Sequence, residues 1–315
     1  MQANSKLSMP NNTAYLSVMR AIVVNQVARL APRFYFHHTR ETGRGPTAQQ
    51  DSPEEVAAYL QQCFFDYFEK LDVPRADISK WLNGKVVLEY GPGDILGVAL
   101  LMKAHGAMRV LCADRFPLAN LSEFNTKVIA ALLRGLDSDM RHRADACFAV
   151  PGQPASGYDP VHIEYLIQAQ GLSRLDGAVD LIVSRAVLEH VNDLDATLAD
   201  MSRALRPGGV SVNLVDLRSH GMHVGNILDF LGWSPTLWHL MHSNKGAPNR
   251  IRIGTYKNIV AKLGFQKIKF ETHFQTELDV VQSMRPQLAK PFRELADEEL
   301  SCLAFWMTVE KSVAA

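Results

Sequence analysis

The chain has few cysteines and no pattern among them. Cys63, Cys112, Cys147 and Cys302 are scattered, form no CxxC pair and complete no zinc-finger spacing with the histidines. That excludes a disulfide scaffold and leaves buried, reduced thiols as the expectation. Long apolar runs are missing too: the longest, Ile95 to Met102, is eight residues, against the roughly 18 that a membrane-spanning helix needs. The stretch from Ala14 to Ala31 is broken by Arg20, Asn25, Gln26 and Arg29, so it is not a signal-peptide core, and a cytoplasmic location is expected. Net charge is absent, 33 basic residues against 33 acidic ones, and no polyelectrolyte signal asks for nucleic acid as a partner. Internal repeats and low-complexity tracts are also lacking. What is left is an ordinary globular composition over 315 residues, 47% hydrophobic and 21% charged, enough for one large domain or two modest ones.

One absence is local. Met1 to Arg40 holds Lys6, Arg20, Arg29, Arg33 and Arg40 and no acid, the first carboxylate being Glu41. Leu16, Met19, Val23, Val27 and Leu30 recur at helical spacing. This basic, amphipathic helix is expected either to dock on the domain or to make weak contact with an anionic membrane surface.

A polar linker from Thr39 leads to Ser52-Pro53-Glu54-Glu55, which carries the cap, first-turn proline and early acids of a helix running from about Glu54 to Leu71. Residues 1–84 are therefore assigned to an N-terminal helical arm and lid. From Lys85 onward short apolar runs alternate with helical ones, the pattern of βαβ units and a parallel sheet. Strands are expected at Val86–Tyr90, Met108–Ala113, His162–Leu166, Val179–Ser184 and Val210–Val215, with two last ones at Lys267–Phe270 and Leu303–Val309. Helices are expected from Asp94 to His105, from Pro117 to Leu133, along the Leu194, Leu198, Met201, Leu205 face, and from Thr255 to Leu263. Within 85–315, residues 134–160 look like an insertion. Residues 217–252 are too long for a simple connection and look like a substrate cap; they contain Trp233, Trp238, His239, His242, Lys245, Arg250 and Arg252.

Chemistry enters at Val87-Leu88-Glu89-Tyr90-Gly91-Pro92-Gly93. A strand ending in a carboxylate and a glycine turn brings bare backbone to the C-terminal edge of a sheet, where open α/β folds bind ligands. The glycines at 91, 93 and 97 do not give a dinucleotide fingerprint, and Asp94 in the turn would repel a pyrophosphate. Glu89 suits an ammonium instead, and Asp114, at the end of the second strand, suits a ribose diol. Ammonium, ribose and close backbone together describe S-adenosylmethionine.

On the VLEYGPG turn, the acid of CADRF, the VDLIVSRAVLEHV strand and the LRPGG stop, the chain resembles the class I S-adenosylmethionine-dependent methyltransferases over roughly Lys85 to Glu310. The VLEHV to LRPGG spacing is similar to their methyltransferase-11 branch. The resemblance implies an α/β, Rossmann-like seven-stranded sheet whose last strand is antiparallel. It implies S-adenosylmethionine as cofactor, with Glu89, Gly91 and Gly93 along its methionine end, Asp114 on the ribose hydroxyls and Arg115 beside adenine. Two positions depart from the family: Ile95 stands where a third glycine is common, and Gln168-Ala169-Gln170 stands where an acid meets the adenine amine. The carbonyl of Gln170 can accept the same hydrogen bond.

Methyl transfer needs alignment above all, and a base only when the nucleophile keeps its proton. His190 after the fourth strand and His220 after the fifth are the candidates, with His223 a third. Asp216 with His220 and His223 falls short of a full ligand set, so no metal is expected. The cap's aromatic and basic residues favour O-methylation of a glycan, an activated sugar or another polar small molecule. The rival expectations are a non-catalytic methyltransferase-like binding or scaffold protein and an NAD-dependent dehydrogenase.

Overall fold

A computed structural model describes residues 12–31, 34–35, 38 and 51–313. The linker from Thr39 to Gln50, and Lys6, Arg33 and Arg40, lie outside the described residues. A seven-stranded sheet is built from β1 (Val86–Tyr90), β2 (Arg109–Asp114), β3 (Ile163–Ile167), β4 (Val179–Arg185), β5 (Leu205–Asp216), β6 (Phe265–Gln275) and β7 (Cys302–Lys311), in the order β3-β2-β1-β4-β5-β7-β6. The first five are mutually parallel, and β7 runs antiparallel to both β5 and β6. The expected sheet with an antiparallel last strand is therefore present. The chain reverses its direction of travel between β1 and β4, which is the switch point where such sheets open a crevice.

β1 is buried at every residue and apolar but for Glu89, because both faces are covered. Pleating sends Val87 and Glu89 to one face and Leu88 and Tyr90 to the other. The Val87 face packs under α2 (Pro53–Lys70), α4 (Gly97–Ala104) and α5 (Glu123–Arg134), with Phe64, Phe68, Leu101 and Leu132 in one core. The Leu88 face packs on α7 (Leu194–Ala204) and α9 (Ile253–Val260), through Leu198, Met201 and Tyr256. The short α3 (Ile78–Leu82) leads into β1, and α6 (Ser138–Asp145) lies within the 134–160 stretch.

α2 starts as the sequence reading has it: Ser52 and Glu55 form a reciprocal capping box, with Pro53 in the first turn. Other boundaries move. α4 begins at Gly97, three residues past Asp94, because the Asp94 carbonyl is taken by the Asn120 N–H and the Asn125 side chain, which holds the turn open to Leu96. α5 begins at Glu123 behind a Ser122 cap, not at Pro117. The Tyr165 hydroxyl accepts from Leu118 N–H and donates to the Phe116 carbonyl, which fixes residues 116–119 as a loop.

A third apolar cluster forms a lobe over the edge of β5 and β7. It joins Leu228, Phe230 and Trp238 of the 217–252 stretch and α8 (Pro235–His242) to Val281 of α10 (Leu278–Met284), Leu288 just before α11 (Lys290–Arg293) and Leu300 of α12 (Asp297–Ser301). The sequence reading assigns no helix to 278–301, because its turns are short and interrupted by Pro286 and Pro291. α1 (Asn12–Leu30) lies against this lobe through Val18, Ala21 and Ile22. That corrects the expected docking face: the Leu16, Met19, Val23, Val27, Leu30 stripe points outward.

A buried carboxylate ties the end of β1 to the loop after β3. Asp200 on α7, 2% exposed, accepts from the Tyr90 hydroxyl, from Ser173 N–H and hydroxyl at 2.6 and 2.8 Å, and from Arg174 N–H at 3.0 Å. Removing it strands several buried donors at once. Asp200→Ala is expected to cost about 3 kcal/mol in urea unfolding; a loss below about 1 kcal/mol would show that the network does not hold the β1 end.

Candidate active site

Glu89 is the fourth residue of β1 and 6% exposed. The pleat that carries it under α4 lets its carboxylate accept the N–H of Ala99 in that helix's first turn. The sequence reading gives this end of the helix to Asp94; the structure gives it to Glu89. Burial pushes the Glu89 carboxyl up to about 8, against the pull of Ala99, and the neighbouring Asp114 adds to the rise. Asp114 ends β2 on the adjacent strand, is 7% exposed, and accepts from Phe116 N–H at 3.0 Å. Burial raises it to about 6, partly offset by the N–H groups of Phe116 and Arg115. No basic side chain among the described residues contributes to either group. Two carboxyls are thus buried side by side at the switch point without a cation from the described residues.

The two glycines beside them differ. Both have positive φ, +61° at Gly91 and +76° at Gly93. A Cβ on Gly91 would come within 2.5 Å of Val187 Cγ2, whereas one on Gly93 would meet nothing within 4 Å. Gly91 is bare because the turn after β4 packs on it; Gly93 is the position whose bare backbone faces open space. Arg115 follows Asp114 half-buried, its guanidinium 4.8 Å from the Phe116 ring centroid. The turn at Ala169–Gly171 stands against it: a Cβ on Gly171 would lie 3.5 Å from Arg115 Cβ, and Gln170, at φ 69°, is exposed. Glu89, Gly91, Gly93, Asp114, Arg115 and Gln170 therefore lie along the C-terminal ends of β1, β2 and β3. The residues fit S-adenosylmethionine: two buried carboxyls lack a cation, and an uncluttered glycine adjoins them.

The second group lies across Val187. Leu188–His190 is a single helical turn after β4, pinned by Asn249, whose N–H donates to Glu189 O at 2.6 Å and whose side chain donates to Leu188 O and Val191 O. His220 follows β5 with φ +50°, a backbone region that non-glycine residues visit mostly where surrounding structure imposes it. Its Nε2 and that of His190 each lie 3.8 Å from Glu189 Oε1, and the two rings are 4.8 Å apart. Glu189 is 1% exposed, neither oxygen meets a well-formed hydrogen bond, and burial holds its carboxyl well above the usual range. The structure thus joins His190 and His220 and adds Glu189, which the sequence reading passes over although it adjoins His190. His223 is apart, exposed and bonded to Ser219. Asp216 is held by Arg218 at 2.5 Å and lowered by it, so the metal-type donors that do come together are Glu189, His190 and His220.

A cavity of about 410 Å³ lies under α8, lined among others by Trp238, His239, His242, Arg250 and Arg252. Asn192 and Asn249 form part of its wall, next to the Leu188–His190 turn. The two arginines do not offer free heads. Arg250 donates to the carbonyls of Phe230 and Trp233 and stacks 4.6 Å from Trp238; Arg252 donates to those of Leu217, Leu300 and Cys302. They brace the lobe through its main-chain carbonyls.

The methyltransferase-domain family matches the chain over residues 66–269, more than half its length. The match is of the methyltransferase-23 type, and the narrower methyltransferase-11 branch is not carried further. No curated protein matches the chain. Among solved structures, the chain is similar to an S-adenosylmethionine-dependent methyltransferase from Mesorhizobium loti, with 20% identity over 73% of this chain and 92% of that one at a TM-score of 0.40. It is also similar to phosphoethanolamine N-methyltransferase 2 of Haemonchus contortus in complex with S-adenosyl-L-methionine, with 15% identity over 76% of this chain and 52% of that one at a TM-score of 0.42.

A buried carboxyl raised above its unfolded value binds its proton more tightly in the folded state, so its stabilising protonation is lost as pH rises from about 4.5 to about 8. The stability of the ligand-free protein relative to Glu89→Gln should fall over that window in thermal or urea unfolding. A difference that stays flat with pH would mean that Glu89 is ionised and compensated in the free protein.

Proposed function

The chain belongs to the methyltransferase-domain family and is a class I S-adenosylmethionine-dependent methyltransferase, and from that premise we propose that it methylates an oxygen of a polar small molecule, with a glycan or activated sugar as the acceptor class. The observation that carries the oxygen assignment is the Glu189–His190–His220 cluster. An alcohol keeps its proton at neutral pH and needs a base at the moment of transfer, whereas a neutral amine does not.

The cofactor supplies a methyl group already activated on a sulfonium. The chain's part is to hold it and to align the acceptor. Glu89, with Gly91 and Gly93, serves the methionine end, where ionised Glu89 pairs with the ammonium. Asp114 accepts from the ribose hydroxyls. Arg115 and Gln170 flank the adenine, a role supported by the way the 169–171 turn stands against Arg115. His190 or His220 takes the acceptor's proton. An imidazolium formed on either lies 3.8 Å from the Glu189 carboxyl, so ionisation of Glu189 and protonation of a histidine support each other. The cavity under α8 supports the acceptor class: its volume of about 410 Å³ suits a small polar molecule.

Incubation with S-adenosylmethionine carrying a labelled methyl group and a cell extract should label a polar small-molecule product. His190→Gln and His220→Gln should each lower turnover at least about tenfold with cofactor affinity kept; wild-type rates in both would reject the base assignment. Glu189→Gln should lower kcat and displace the pH–rate profile while KM for the cofactor stays. A chelator should leave the rate unchanged; loss of rate restored by a divalent cation would make the same three side chains ligands and not a base. A wild-type protein that binds cofactor yet labels nothing would favour the non-catalytic binding protein.

A further inference from the structure

α1 is apolar on two sides, and only one of them is used. Val18, Ala21 and Ile22 pack into the lobe, and Ala28 is buried against the group that includes Val24 and Phe116. Asn25, 1% exposed, fixes the roll of the helix: its side chain donates to Leu240 O at 2.9 Å and to Ser243 Oγ at 3.2 Å and accepts from Asn244 N–H at 2.8 Å. At about 100° per residue the docked side centres on Asn25. The opposite side carries Leu16, Met19, Val23, Val27 and Leu30, exposed at 71%, 58%, 57%, 36% and 81%. They follow at intervals of three, four, four and three residues, one unbroken stripe, and the hydrogen bonds of Asn25 prevent the helix from rolling to bury it.

We propose that this stripe is a docking surface for an anionic lipid membrane, with α1 lying in the plane of the interface. Apolar side chains enter the acyl boundary while basic groups stay among the headgroups. The first 40 residues hold five basic residues and no acid. Arg20 and Arg29 are exposed on α1 itself. The same charge argues against a second copy as the occupant, because two such helices would face each other with cations on both and no acid to pair with them. α1 is not a span, since no described helix is long and apolar enough to cross a membrane. Its Val24 and Ala28 share a small apolar cluster with Tyr35 and with Phe116, two residues beyond Asp114, so a docked helix sets the mouth of the cofactor site close to the lipid surface.

Sedimentation of the full chain with phosphatidylcholine vesicles, with and without phosphatidylglycerol, tests this. The wild type should partition onto the phosphatidylglycerol vesicles at least about tenfold better than the Met19→Ser, Val23→Ser double variant, and high salt should weaken it. Arg20→Ser with Arg29→Ser should lower the preference for phosphatidylglycerol, each basic residue near such a surface being worth about 1 kcal/mol. All four positions are exposed, so cofactor affinity and thermal stability should not change, and those two readouts separate loss of docking from loss of fold. Equal partitioning of wild type and the serine variant, or none by either, would overturn the proposal. So would self-association in the absence of lipid that the serine variant abolishes.

Discussion

Two carboxyl groups buried side by side, with no cation from the described residues beside them, organise this protein. Glu89 and Asp114 stand on neighbouring parallel strands at the switch point, each less than a tenth exposed. Desolvating a carboxylate is expensive, and a folded chain tolerates it by protonating the group or by supplying a partner. Among the described residues the partners are neutral: backbone N–H groups, from Ala99 to one and from Phe116 and Arg115 to the other, and the Cys112 thiol, 4.0 Å from Glu89 Oε2. The balance of the site is completed from outside, by a ligand that brings a positive charge and hydroxyl donors. That requirement selects S-adenosylmethionine over a dinucleotide, whose pyrophosphate would add negative charge.

The surrounding structure keeps those groups buried and keeps the second cluster in place. α2 closes over the sheet with Phe64 and Phe68, and its Asp66 meets Arg185 at the end of β4 at 2.7 Å. The contact of Val187 on Gly91 then couples the turn after β4 to the turn after β1, so the backbone carrying Glu189 and His190 is packed directly on the backbone carrying Glu89. Asn249 holds the same turn from the lobe side. The turn after Glu89 and the Glu189–His190–His220 cluster are therefore one mechanical unit.

The sheet was legible in the sequence because covered parallel strands are short runs dominated by apolar residues, as Val86–Leu88 and Leu181–Val183 are. Glu89 and Asp114 were legible for the complementary reason, as acids at the ends of such runs. The helix starts were not, because long-range polar contacts set them: Asn120 and Asn125 hold the turn before α4, and Tyr165 holds the loop before α5. Glu189 was hidden by its own segment. A glutamate in a short LEH turn looks like an ordinary exposed acid until the fold buries it and swings His220 across from β5. The docking face of α1 was misread because both of its sides are apolar, and only the hydrogen bonds of Asn25 to α8 decide which one turns inward.

Calorimetric titration of the ligand-free protein with S-adenosylmethionine at pH 7, in buffers of different ionisation enthalpy, tests the central claim most directly. A Glu89 carboxyl raised to about 8 is mostly protonated at that pH and must ionise to pair with an ammonium. Binding should then release close to one proton, about 0.9 by that value, and the release should vanish in Glu89→Gln. Tight binding with no proton released by the wild type would contradict the account.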